Sequence, residues 1–169
     1  YGLDETFKSY GIDQSQIERY AYSTDTLHYL SDQVPQSHKD FYSSLPLYLE
    51  DDDFYVVHAY LSPDASHPEN LAETHEMYKW LLWNRFETYQ IMAKKQWQKF
   101  AYFGHTPIKR YKKKSIITGP SMALIDTGSC FPDHYGLSAV CYNTDQVINV
   151  RLTGKVHTYT LDEANAFIP

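Results

Sequence analysis

A chain of 169 residues, 43% hydrophobic and 21% charged, has the balance of a soluble globular protein and the length of one domain with a core to bury. A formal net charge of −6 argues against general nucleic-acid binding, because counterion release needs clustered Lys and Arg. No stretch has the length of a membrane span and no signal segment opens the chain, while Cys130 and Cys141 suit neither a disulfide framework nor structural zinc, so a cytoplasmic protein without membrane contact is expected.

Leu3, Phe7 and Tyr10 fall at helical spacing, and Gly11 is placed to stop that helix. Asp13 is placed to cap a second helix over 14–20. A weaker helical pattern covers 23–30 and a better one 37–45, between Pro35 and Pro46. His28 and His38 lie on these polar stretches and read as solvated. Residues 47–49 and 54–58 predict a β-hairpin across Glu50-Asp51-Asp52-Asp53, an acidic turn that lacks the spacing of a calcium loop. The second strand ends on an imidazole, in Val56-Val57-His58-Ala59. A loop is expected over 62–70, and no partner spacing supports His67 or His75 as ligands. Residues 69–83 place Leu71, Met77, Tyr78, Leu81 and Leu82 in a helical pattern that brings Asn84-Arg85 to its end. A guanidinium is always charged and its fork matches two phosphate oxygens; the bland reading of Arg85 is a surface ion pair with Glu87 or another carboxylate. A further helix with a basic end is expected over 89–99.

Phe100-Ala101-Tyr102-Phe103 reads as a buried strand that stops at Gly104-His105-Thr106-Pro107. Glycine permits close backbone approach, and proline fixes φ, so His105 is presented at a strand's carboxyl end. Two strands that each finish on an imidazole bring His58 and His105 to one sheet edge as candidate metal ligands, to be completed by carboxylate or amide oxygens. The basic run Lys109-Arg110-Tyr111-Lys112-Lys113-Lys114 tempts a nucleic-acid reading, but an exposed loop that gathers a phosphorylated substrate fits its borders better. Met122-Ala123-Leu124-Ile125 predicts a strand ending at Asp126-Thr127-Gly128; an aspartic-protease reading of those three fails for want of a second copy. Strands over 137–142, 147–152 and 155–160 follow, then a helix over 161–169 with Asp162 as its cap.

Val56-Val57-His58-Ala59, Leu81-Leu82-Trp83-Asn84-Arg85, Phe103-Gly104-His105-Thr106-Pro107, Ile125-Asp126-Thr127-Gly128 and Leu137-Ser138-Ala139-Val140, in that order, resemble the C-terminal half of a calcineurin-like metallophosphoesterase. The likeness is to the phosphoprotein phosphatase group, which includes serine/threonine phosphatases and symmetrical dinucleoside tetraphosphatases. Residues 1–11 are similar to the segment that follows the group's Gly-Asn-His-Glu motif, and the likeness extends to about Tyr142. It implies an α/β fold, a two-sheet sandwich flanked by helices. Residues 1–169 would be the C-terminal portion of one such domain, since Gly-Asp-x-His-Gly, Gly-Asp-x-x-Asp-Arg-Gly and Gly-Asn-His-Glu do not occur.

The implied activity is hydrolysis of phosphate monoesters at two divalent metal ions, manganese first and iron or zinc next. His58 and His105 would bind one ion and Arg85 the phosphate, with Asp126 and Gly104 supporting His105. The N-terminal half of the domain would bring the remaining ligands and the catalytic acid. The substrate would be a phosphorylated protein or a nucleotide. The resemblance leaves dinucleoside tetraphosphatase as the alternative, and a chain complete as it stands would be a non-catalytic binding module or half of a two-chain enzyme.

Overall fold

The computed structural model describes residues 3–20, 24–63, 75–87, 96–131 and 136–165. The chain divides into two units, 1–46 and 47–169. Among the described residues, the first holds four short helices, α1 (Leu3–Ser9), α2 (Gln14–Tyr20), α3 (Thr24–Asp32) and α4 (Gln36–Ser44). Gly11, at φ 84, ends α1: its N–H donates to Lys8 O at 2.9 Å and that of Ile12 to Phe7 O at 3.2 Å. This is the reciprocal pattern of a Schellman stop, and the apolar pair it brings together, Phe7 and Ile12, enters a small core with Ile17 and Leu30. Asp13 caps α2 as its sequence position predicts. Its Oδ1 accepts from Gln16 N–H at 2.9 Å, while Gln16 Oε1 accepts from Asp13 N–H at 3.1 Å, so each satisfies an orphan donor.

The second unit is a mixed α/β fold whose two sheets are flanked by helices. It contains β1 (Tyr48–Glu50), β2 (Phe54–Val57), α5 (His75–Trp83), β3 (Phe100–Phe103), β4 (Ile117–Gly119), β5 (Met122–Leu124), β6 (Leu137–Cys141), β7 (Gln146–Val150), β8 (Val156–Thr160) and α6 (Leu161–Asn165). The larger sheet has strand order β1-β2-β3-β5-β4, and the smaller one is an antiparallel meander, β6-β7-β8. The expected hairpin of β1 and β2 forms, with Glu50 opposite Tyr55, and its acidic turn is clasped from outside. Lys99 Nζ donates to Asp51 O at 2.8 Å, and Tyr142 Oη–H to Asp53 Oδ2 at 2.6 Å.

Alternation along the central strands decides which residues face which core. Tyr55, Val57, Ala101, Phe103, Met122 and Leu124 line one face, against Met77 and Leu81 of α5 and against Phe86 and Trp97. Tyr102 and Ala123 line the other, against Val147 of the smaller sheet and Leu161 and Ala164 of α6. The larger sheet is thus covered on both sides, as parallel strands require. Aromatic rings fill the first core: Phe86 meets Phe103 at 4.9 Å and Tyr60 at 4.6 Å between ring centroids.

Helix α6 departs from the expected capping. Its N-cap is Thr160, whose Oγ1 accepts from Glu163 N–H at 3.2 Å while Glu163 Oε2 accepts from Thr160 N–H at 2.6 Å. Asp162 lies inside the first turn instead. A Thr-x-x-Glu box outcompetes a lone Asp two residues later because it satisfies two donors at once. The helix expected over 89–99 lies mostly outside the described residues, and residues 96–99 are not helical. Residues 69–74, 166–169 and His67 also lie outside them. Among the described residues, no helix is long and apolar enough to cross a membrane.

Candidate metal centre

Strands β2, β3 and β5 run parallel, with Val57 opposite Phe103 and Phe103 opposite Leu124. The residues that follow each strand, His58, Gly104-His105 and Ile125-Asp126, therefore emerge side by side at one carboxyl edge, where open α/β sheets bind ligands. Each emerging segment is fastened. Ala59 N–H donates to Leu81 O at 2.8 Å and Trp97 Nε1–H to Leu61 O at 2.9 Å, which anchors the backbone after His58. Gly104 N–H donates to His58 O at 3.0 Å, and a Cβ on Gly104 would come within 3.3 Å of that oxygen, so glycine is what permits the approach.

His105 is the centre of a three-residue turn. Its φ is 59, and Thr106 N–H donates across it to Gly104 O at 2.6 Å. The turn swings the ring out of the strand direction and over to its neighbour: His58 Nε2 lies 3.2 Å from His105 Nδ1. On its far side, His105 Nε2 lies 3.2 Å from the carbonyl oxygen of Trp83, the last residue of α5. A carbonyl only accepts, so Nε2 carries the hydrogen and Nδ1 presents its lone pair toward His58. Burial, then the cation of Arg85, then His58 hold the His105 imidazole below its ordinary pKa, favouring the neutral form that binds metals.

The pair fits one cation. Two imidazole nitrogens each about 2.0–2.1 Å from a shared ion stand about 2.9–3.4 Å apart, from octahedral to tetrahedral geometry. The observed 3.2 Å lies inside that interval, and it equally suits an N–H···N hydrogen bond between neutral rings. Among the described residues, no cluster of three or more His, Cys, Asp or Glu accompanies the pair. His75 opens α5, and His38 instead shares a hydrogen bond with Tyr10 Oη at 2.9 Å in the first unit.

Arg85 follows α5 and donates from Nη1 to His105 O at 3.1 Å, which sets its exposed guanidinium beside the two rings. The carboxylate of Glu87 lies 3.7 Å from Arg110. Asp126 emerges at the third strand end, where its Oδ1 accepts from Gly128 N–H at 2.8 Å and its carbonyl from Ile108 N–H at 2.9 Å. It thereby ties the 126–128 turn to the loop after His105, while the oxygen that meets His105 Nε2 is that of Trp83. As a residue type, Trp83 announces no such role. The signal was available, because the last four carbonyls of a helix lack intrahelical partners and α5 ends just before Arg85. No family model, no curated protein and no solved structure matches this chain.

Proposed function

We propose that the chain carries the two-histidine side of a divalent-metal site in a calcineurin-like phosphoesterase, hydrolysing phosphate monoesters in the manner of a serine/threonine protein phosphatase. The observation that carries this reading is the 3.2 Å approach of His58 and His105 at a shared strand edge, with Arg85 fastened beside them. Two sheets that share a core, with helices outside them, are in keeping with the sandwich of that class.

On this reading His58 Nε2 and His105 Nδ1 would hold one ion, manganese before iron or zinc, and other residues would supply the remaining ligands and the leaving-group acid. A divalent cation supplies charge neutralisation and Lewis acidity for attack at phosphorus. Arg85 orients the phosphoryl group and offsets its charge by bidentate hydrogen bonding. Trp83 O keeps the His105 hydrogen on Nε2, so Nδ1 remains available.

Calorimetric titration of manganese into the protein tests the assignment. His58→Ala and His105→Ala each weaken binding by about tenfold or more, while Arg85→Ala retains the metal and loses affinity for orthophosphate. Unchanged metal affinity in both histidine variants would remove the basis of the reading. Turnover of a phosphopeptide against a dinucleoside tetraphosphate separates the substrate classes.

A further inference from the structure

The loop that leaves His105 is a fixed ledge rather than a loose connection. Ile108 is fully buried in the aromatic core and its N–H is held by Asp126 O. Residues Ile108–Tyr111 form a short 3-10 turn, closed by Lys112 at φ 59. Tyr111 turns inward and donates to Phe86 O at 2.6 Å, which fastens the ledge to the segment carrying Arg85. Burial lifts that phenol to about 12, against the pull of the Arg110 cation. Arg110, Lys112 and Lys114 are exposed along the ledge. On the other side of His105, the Trp83 indole is 70% exposed and meets the imidazole edge to face.

We infer that this ledge selects phosphorylated peptides with acidic flanks, the phosphate going to His58, His105 and Arg85 and the flanking carboxylates to Arg110 and Lys112. The inference rests on the metal-site reading for the phosphate and on the ledge alone for the flank. A chain of net charge −6 repels an acidic peptide elsewhere, so a local cationic strip sets both approach and register. Glu87, 3.7 Å from Arg110, already shows a carboxylate in the place a peptide carboxylate would take. An oligophosphate calls for donors that converge on one point, whereas these cations are spread along a backbone, and the bare indole suits a peptide side chain.

The test is fluorescence anisotropy with two labelled phosphothreonine peptides, identical except for Glu or Gln on the flank, each in manganese and in chelator. Wild type prefers the Glu peptide by about fivefold or more, in a salt-sensitive way. The preference disappears in the Arg110→Gln/Lys112→Asn variant, where Asn tolerates the positive φ, and grows in Glu87→Gln, which frees Arg110. Matching melting curves establish that these variants fold. No preference in wild type, a preference unchanged in the double variant, or tripolyphosphate binding more tightly than the Glu peptide would overturn the inference. A flank preference without manganese uptake keeps the ledge and sinks the metal site; uptake without preference does the reverse.

Discussion

His105 is held in backbone that disfavours any residue with a Cβ. The left-handed region costs such a residue about 1–2 kcal/mol, and glycine almost nothing. Strain of this kind persists where surrounding contacts over-determine it, here Thr106 N–H on Gly104 O, Arg85 on the His105 carbonyl and Trp83 O on the ring. His105→Gly should therefore be more stable than His105→Ala by about 1 kcal/mol in chemical denaturation, although both lose the metal ligand. Equal stabilities would mean that the turn is relaxed. The same position explains how little of this arrangement is legible from residue types. A histidine two residues before a proline announces a loop, but the rotation that aims Nδ1 at His58 comes from a positive φ and from a helix-end carbonyl twenty-two residues earlier in the chain.

Short helices and short strands carry this fold, so their ends matter more than their interiors. Asp13 shows this at α2, where the Ser15 hydroxyl first and then Gln16 N–H hold its carboxyl below the ordinary carboxylate range. A depressed folded pKa contributes stability that is present above the unfolded value, near pH 4, and lost as pH falls through the folded value. Helical circular dichroism should thus show Asp13→Ala to be less stable than wild type at neutral pH, the gap narrowing in acid; a pH-independent gap would assign the effect to something other than the carboxylate. The ends of α1 and α2 were readable from Gly11 and Asp13 because a stop and a cap are local chemistry. The same holds for β2 and β3, short β-rich runs bounded by turn residues. Pairing was not readable: nothing local says that β5 inserts between β3 and β4, or that β6, β7 and β8 form a separate sheet. Those outcomes follow from which faces need covering, a property of the assembled core. The cap of α6 departs from expectation for a related reason, since Asp162 satisfies a rule that Thr160 and Glu163 satisfy jointly and better.

At the scale of the whole molecule, the site and the ledge belong to residues 47–169, and a ligand that binds only the folded form raises the stability of that unit by mass action. Manganese at about a hundredfold over its dissociation constant should raise the melting temperature of wild type by about 5–10 °C and leave His58→Ala unmoved. An equal rise in both would place the ion elsewhere. Parallel pairing of β2 with β3 has a last consequence. Neighbouring strands are spaced about 4.8 Å apart by their peptide groups, so the main chains that carry the two rings are held at a separation set by chemistry common to all proteins. Deleting one residue inside β3 would shift His105 by about 3.3 Å along the strand and invert which way each later side chain faces, erasing the bite without removing either histidine.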